Sequence, residues 1–150
     1  MKMALVTPAP PRSRAGNRAT AARWSRLLRA AGYQVDILEQ WGADDRSYDL
    51  MIALHAWRSA SSIAAFSRRF PHRPLVVVLT GTDIYHFQHT HPEETRASLH
   101  SASALIGLHD HVTQDIPSTY HARLHIVHQS AQPLPASYPG PSVRRFTLCV

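Results

Sequence analysis

Four short polar segments carry residue types that can bind or transfer a charged group, and each lies beside an apolar run. In the first, residues 12–20, Gly16 permits a close backbone approach, and Arg14 and Arg18 offer guanidinium groups to an anion. The start of the helix that follows would add free N–H groups and a partial positive charge. The same residues also fit an ordinary helix start with Asn17 as the N-cap, so both interpretations stay open.

The second segment, residues 79–85 (LTGTDIY), follows the strongest strand pattern in the chain. Thr80, Gly81, Thr82 and Asp83 place two hydroxyls, a flexible backbone and a carboxylate at the end of that strand. Their position favours a functional loop. The alternative is a turn in which Asp83 caps the next helix.

The third segment, residues 53–59 (ALHAWRS), brings His55 and Arg58 to the end of a buried strand. His55 is a candidate hydrogen-bond donor or proton-transfer group. A histidine without a functional role, either exposed to solvent or buried with its hydrogen bonds satisfied, would fit this position equally well. The fourth segment, HQSA, places Gln129 and Ser130 at the end of the last apolar run.

Metal and thiol chemistry are not favoured by the spacing of histidine and cysteine. The chain has eleven histidines, but neither His89–His91 nor His109–His111 is accompanied by a third potential ligand at a sequence spacing typical of zinc sites. We therefore expect no metal and no cofactor. The lone Cys149 fits a small core hydrophobe and cannot form an internal disulfide, which favours a reducing, cytoplasmic setting.

The net charge of +6 is concentrated at the start of the chain. Residues 1–35 hold seven basic residues and no acid, so the remainder sums to about −1. Such clustering suits nucleic acid, a phosphorylated small molecule or an Arg-rich transit peptide. We favour the small molecule, because the segment reads as strand, loop and helix and lacks aromatic–basic interleaving outside the first helix.

Apolar runs and helical patterns alternate along the chain and must position these segments. Strands are predicted at residues 3–7, 34–38, 48–54, 75–79, 104–108 and 124–127. Helices are predicted at residues 20–31, 60–70, 93–102 and 111–116. Trp24, Leu27, Leu28 and Ala31 form the apolar face of the first helix, and Gly32 follows it as a C-cap. This alternation predicts an α/β, Rossmann-like, doubly wound parallel sheet, with ligands at the carboxyl ends of its strands.

The last nineteen residues differ in composition from residues 1–131, which we assign to the Rossmann-like domain. Residues 132–145 contain four prolines and a glycine and fit an inter-domain linker. Residues 146–150 (FTLCV) have strand character and fit the first strand of a missing C-terminal domain. We expect no membrane span and no signal peptide, because no apolar run is long enough.

Four stretches together resemble a small, selenosugar synthase-like family of GT-B glycosyltransferase-like proteins. They are SRAGNRATAARW, DLMIALHAWRSASSIAAF, PLVVVLTGTDIY and IVHQSAQPLP, and the resemblance covers residues 3–135. It implies the N-terminal, acceptor-side half of a two-domain fold. It also implies transfer from a UDP-sugar to selenophosphate, with release of UDP and without a metal. The C-terminal donor-binding domain of that family is absent from this sequence.

The resemblance also implies roles for the polar segments, by their position in the loops. The residues that would steady the donor pyrophosphate or the acceptor phosphate are Gly16, Asn17, Arg18, Thr20 and Arg58. The residues that would shape the acceptor pocket are Thr80, Gly81, Thr82, Asp83, Tyr85, Gln129 and Ser130. His55 lies near the phosphate contacts, and His55 and Asp83 are the catalytic candidates. Because selenophosphate is already anionic, positioning would matter more than a strong base.

Two other functions stay open at this point. An ordinary UDP-sugar glycosyltransferase with a hydroxyl acceptor would need a base, for which Asp83 and His55 are the candidates. A non-catalytic module that binds anions or a partner domain would need none.

Overall fold

Six apolar segments pair as parallel strands in the order β2-β1-β3-β4-β5-β6. The computed structural model describes residues 1–42 and 46–130. The strands are β1 (Lys2–Val6), β2 (Gln34–Leu38), β3 (Leu50–Leu54), β4 (Leu75–Leu79), β5 (Ala104–Gly107) and β6 (Leu124–Ile126). All six lie within one or two residues of their predicted positions. The central strands are almost continuously apolar, as expected for a parallel sheet covered on both faces.

Helical segments connect most of the strands on the two faces of the sheet. They are α1 (Gly16–Ala30), α2 (Ala60–Arg69), a π-helical turn (Asp83–Phe87), α3 (Gln88–Thr90), α4 (Pro92–Ser101) and two 3-10 turns (Asp110–Gln114 and Ser118–Arg123). The predictions of α2 and α4 are confirmed, including Pro92 in the first turn of α4. The turn at residues 83–90 and the second 3-10 turn were not predicted.

Two apolar clusters lie on opposite faces of the sheet. On one face, Ala21 of α1 packs with Leu5, Ile52 and Val78 of the strands. On the other, side chains of α2 and α4 pack against β1, β3, β4 and β5. The prediction of a doubly wound, Rossmann-like α/β fold is confirmed.

Helix α1 differs from its prediction at its start and along one side. It begins at Gly16 with Ala15 as the N-cap, so the interpretation of Asn17 as N-cap is wrong. Leu27, predicted to face the core, is 51% exposed. The buried face instead includes Ala21 and Ser25, whose small side chains let the helix approach the sheet closely. Gly32 follows the helix with φ +89, as a C-terminal glycine should.

The strand order places a topological switch point between β1 and β3. From β1 the chain crosses to β2 on one side, and from β3 it crosses to β4 on the other. The loops at the carboxyl ends of these two strands therefore diverge and leave a crevice, where such sheets bind ligands. The predicted linker (132–145) and following strand (146–150) lie outside the described residues. Within the described ranges no helix is long and apolar enough to cross a membrane.

Candidate functional site

A cavity of about 390 Å³ lies at the carboxyl edge of the sheet, at the switch point. Loops from three neighbouring strands form its wall, which consists of Pro8, Ala9, Ala15, Gly16, Asn17, His55, Arg58, Thr80 and Thr82. Six of these nine residues are sequence-predicted site residues from three separate segments. We refer to this space as the switch-point cavity.

The N-terminus of α1 forms one side of the switch-point cavity, at Gly16 and Asn17. Its N-cap residue, Ala15, makes no side-chain hydrogen bond to the helix, and the first turn has no acidic residue. An anion in the cavity would therefore meet the uncapped, partially positive end of a fifteen-residue helix. Arg58, an exposed residue on the opposite loop, lines the same cavity and adds a full positive charge.

His55 stands at the start of the β3–α2 loop in an unusual backbone conformation. Its φ is +75, in the left-handed region that few residues other than glycine, asparagine, aspartate and histidine adopt readily. The residue is only 2% exposed. Its imidazole contacts the loop after β4, at Thr82.

Hydrogen bonds to both ring nitrogens fix the tautomer of His55. The backbone N–H of Arg58 donates to Nδ1 at 3.1 Å, so the ring proton is on Nε2. Nε2 lies 3.0 Å from Thr82 Oγ1 and donates to it. Because that oxygen accepts from His55, the hydroxyl proton of Thr82 can be donated to a ligand in the cavity, which Thr82 lines. His55 therefore orients a hydroxyl donor.

Burial lowers the pKa of His55, and the nearby charge of Asp83 opposes that effect while the charge of Arg58 adds to it. The unfolded histidine takes up a proton near its ordinary pKa of about 6.5, whereas the folded one requires lower pH. In that interval the unfolded state binds more protons, so acidification favours unfolding. We expect the unfolding free energy of the wild type to fall more steeply than that of His55→Asn as the pH drops below about 6.5.

Urea unfolding measured from pH 7.5 to 5 checks this expectation. Asparagine suits the variant because it tolerates positive φ and does not titrate. His72→Asn, at an exposed histidine, serves as the control and should keep the wild-type slope. Equal slopes for the wild type and His55→Asn would contradict the assignment of a neutral, buried His55.

Asp83 is fully buried, and its carboxylate accepts hydrogen bonds from three backbone N–H groups. Oδ2 accepts from Ala56 at 2.9 Å, and Oδ1 accepts from Thr80 at 3.0 Å and Gly81 at 2.8 Å. The carboxylate thus links the loop after β3 to the loop after β4. Gly81 has φ +116, which permits the tight turn around it. These contacts give Asp83 a positioning role, since a base needs an oxygen that faces the substrate.

Three other predicted residues lie in a second cavity of about 510 Å³ on the flank of α1. Thr20 and Gln129 are hydrogen-bonded through their side chains at 3.2–3.3 Å, and Arg23 Nε donates to Ser130 Oγ at 2.6 Å. Arg26 also lines this cavity. Gly16 borders both cavities, so eight of the eleven predicted substrate-binding residues line two neighbouring cavities.

Three predicted substrate-binding residues, Arg18, Gly81 and Tyr85, line neither of these two cavities. Arg18 is half-buried in the first turn of α1. Tyr85 is 53% exposed, and its hydroxyl lies 2.5 Å from His109 Nε2. Slight burial and the charges of Asp115 and Asp83 raise the pKa of the Tyr85 phenol.

Sequence reasoning missed an aromatic pair beside the switch-point cavity. The rings of Trp57 and Phe87 stack with their centroids 4.0 Å apart and their planes at 17°. Phe87 also lies 5.5 Å from the ring of His55. The two residues are thirty positions apart, and no local pattern indicates that they meet.

The histidine pairs do not form a metal site within the described ranges. No group of three or more His, Cys, Asp or Glu side chains is placed there to hold a metal ion. His128, which belongs to neither pair, lies with its Nε2 3.1 Å from Asp110 Oδ1 on an exposed surface.

Comparison with models of known protein families found no match to this chain, and comparison with curated proteins found none either.

Proposed function

We propose that the switch-point cavity binds a small phosphate-like anion, as the acceptor site of a glycosyltransferase-like enzyme. The observation that carries this proposal is the chemistry of the cavity wall. It combines the uncapped end of α1, the charge of Arg58 and the oriented hydroxyl of Thr82, all of which favour an anion. The chain would then be the N-terminal half of a GT-B enzyme that uses a UDP-sugar.

The acceptor in this proposal is selenophosphate, as the family resemblance implies. Its selenium would attack the anomeric carbon of the sugar and form a carbon–selenium bond. The bond between that carbon and the UDP oxygen would break, and its electron pair would leave with UDP. Selenophosphate supplies a charged nucleophile, so no proton needs to be removed. The cavity would hold the phosphoryl oxygens while selenium faces the donor.

The geometry favours this acceptor over a hydroxyl acceptor, which would need a base in the cavity. Asp83 is occupied by backbone N–H groups, and His55 carries its proton on Nε2, the nitrogen that faces Thr82. Neither of the two candidates offers a free basic atom in this arrangement.

The second cavity is proposed to take the donor pyrophosphate. Arg23 and Arg26 line it one helical turn apart, and Thr20, Gln129 and Ser130 add polar groups. Because Gly16 borders both cavities, an acceptor and a donor phosphate would lie on either side of the same helix end. The sugar itself would be held by the proposed C-terminal domain.

Binding of monothiophosphate, a stable analogue of selenophosphate, tests the anion site in this chain. We expect Arg58→Ala to weaken binding about tenfold in calorimetry, because a charge-assisted contact is lost. Arg68→Ala, at an exposed arginine near the end of α2, removes the same charge elsewhere and should bind like the wild type. Equal losses in the two variants would indicate general charge attraction, and unchanged binding in Arg58→Ala would refute the site.

Turnover requires the chain extended through the expected second domain. The extended protein is mixed with selenophosphate and UDP-N-acetylglucosamine, and UDP release and product mass are measured. A selenium-containing sugar supports the proposal. Turnover with hydroxyl acceptors alone would support a glycosyltransferase activity but refute selenophosphate as the acceptor. No turnover, together with intact thiophosphate binding, would favour a non-catalytic anion-binding module.

A further inference from the structure

The aromatic pair Trp57–Phe87 lies against the side chain that supplies the positive charge of the switch-point cavity. The guanidinium carbon of Arg58 is 5.8 Å from the centre of the Trp57 ring and 5.6 Å from that of Phe87. Both distances are within the range of a cation–π contact. Trp57 and Phe87 are half-buried, whereas Arg58 is exposed.

We propose that Trp57 and Phe87 are positioning residues that hold the Arg58 guanidinium at the mouth of the anion site. An exposed arginine otherwise samples many rotamers and loses that freedom when it binds a ligand. Two aromatic rings beside the guanidinium restrict it before the ligand arrives, which strengthens binding without a new ligand contact. This inference rests on the proposed function, because it concerns the same anion.

We expect Phe87 to contribute more than Trp57 to the position of Arg58, because Phe87 connects two loops. It belongs to the π-helical turn after β4, while Trp57 and Arg58 belong to the loop after β3. It also lies 5.5 Å from the ring of His55. Loss of the Phe87 ring would therefore free Arg58 without removing any group that touches the anion.

A double-mutant cycle on monothiophosphate binding tests the proposal. We expect Phe87→Leu to weaken binding about threefold, the size of a solvent-exposed cation–π contact. In the background of Arg58→Ala, Phe87→Leu should have no further effect, because the group it positions is absent. Phe87→Tyr keeps the ring and should restore wild-type affinity.

The matched control is Phe70→Leu, which removes another aromatic ring that faces an arginine. Phe70 lies 3.8 Å from the guanidinium of Arg73 and lines neither cavity. Its substitution should change stability but leave the dissociation constant unchanged. An equal loss of affinity in Phe70→Leu would indicate a general structural effect and overturn the proposal.

A second variant keeps the test decisive if Phe87→Leu does not fold. Arg58→Lys retains the charge at an exposed position but lacks the planar group that stacks on aromatic rings. We expect it to lose about as much affinity as Phe87→Leu, and less than Arg58→Ala, because the charge remains and only the stacking is lost. Wild-type affinity in Arg58→Lys would show that charge alone suffices and would refute positioning. Wild-type affinity in Arg58→Ala would refute the proposed anion site itself, and not only the positioning role of the two rings.

Discussion

Asp83→Ala is expected to lower the free energy of unfolding by about 3 kcal/mol, because three backbone N–H groups lose a charged acceptor. That loss is a large part of the usual stability of a domain, about 5–15 kcal/mol. The affected groups belong to Ala56, Thr80 and Gly81, which lie in two different loops. Chemical denaturation at constant pH measures the change.

Two further variants separate this positioning role from a loss of charge. Asp83→Asn keeps one carbonyl oxygen and should lower the free energy of unfolding less than Asp83→Ala, because some of the N–H groups keep an acceptor. Asp110→Ala removes an exposed carboxylate whose partner is His128 and should change stability little. A stable Asp83→Ala variant that binds thiophosphate normally would show that the carboxylate does not hold the loops.

Thr82→Val is expected to weaken monothiophosphate binding about 30-fold, the largest loss of affinity among these variants, since a hydrogen bond to a charged group is removed. Valine has nearly the shape of threonine, so the backbone should be unchanged. The substitution also leaves the buried Nε2–H of His55 without the acceptor it now has. Calorimetry gives the affinity, and nitrogen NMR of the imidazole shows whether the Nε2–H tautomer persists.

Thr82→Ser is the matched variant, because it keeps the hydroxyl and drops only the methyl group. It should bind within a few-fold of the wild type. If Thr82→Ser and Thr82→Val lost affinity equally, the methyl group would be responsible and the oriented hydroxyl would have no part in binding.

The strand positions, and the edge of the sheet at which the polar loops meet, could be predicted from the sequence. Continuous β-branched runs such as residues 75–79 identify buried parallel strands, and breakers mark the loops that follow them. Because all strands run the same way, polar loops after β1, β3 and β4 must meet at one edge. Hence Gly16, His55 and Thr82 were recognised separately and lie in one cavity.

The sequence did not indicate which of these residues face the cavity and which only position another side chain. The choice depends on contacts between loops, as when Arg58 N–H fixes the proton of His55 or Asp83 accepts from two loops at once. The pairing of Trp57 with Phe87 is of the same kind. Such contacts have no local period or motif, because they depend on strand order and loop path.

The start of α1 was misplaced for a different reason. Asn17 is a strong N-cap residue in general, and a helix start there satisfies local propensity. The observed helix begins earlier, at Gly16, after an N-cap without side-chain capping. A helix end left uncapped by its own sequence is consistent with a ligand that supplies the missing acceptor.

The bonds to Asp83 have a consequence for the exchange of backbone hydrogens with solvent. Loop amides usually exchange through small local openings, far faster than those of central strands. Here the N–H groups of Ala56, Thr80 and Gly81 all donate to one buried carboxylate, so opening one of them disturbs the other two. In heavy water these three loop hydrogens should persist together with those of β3 and β4 and be lost only when the central sheet opens.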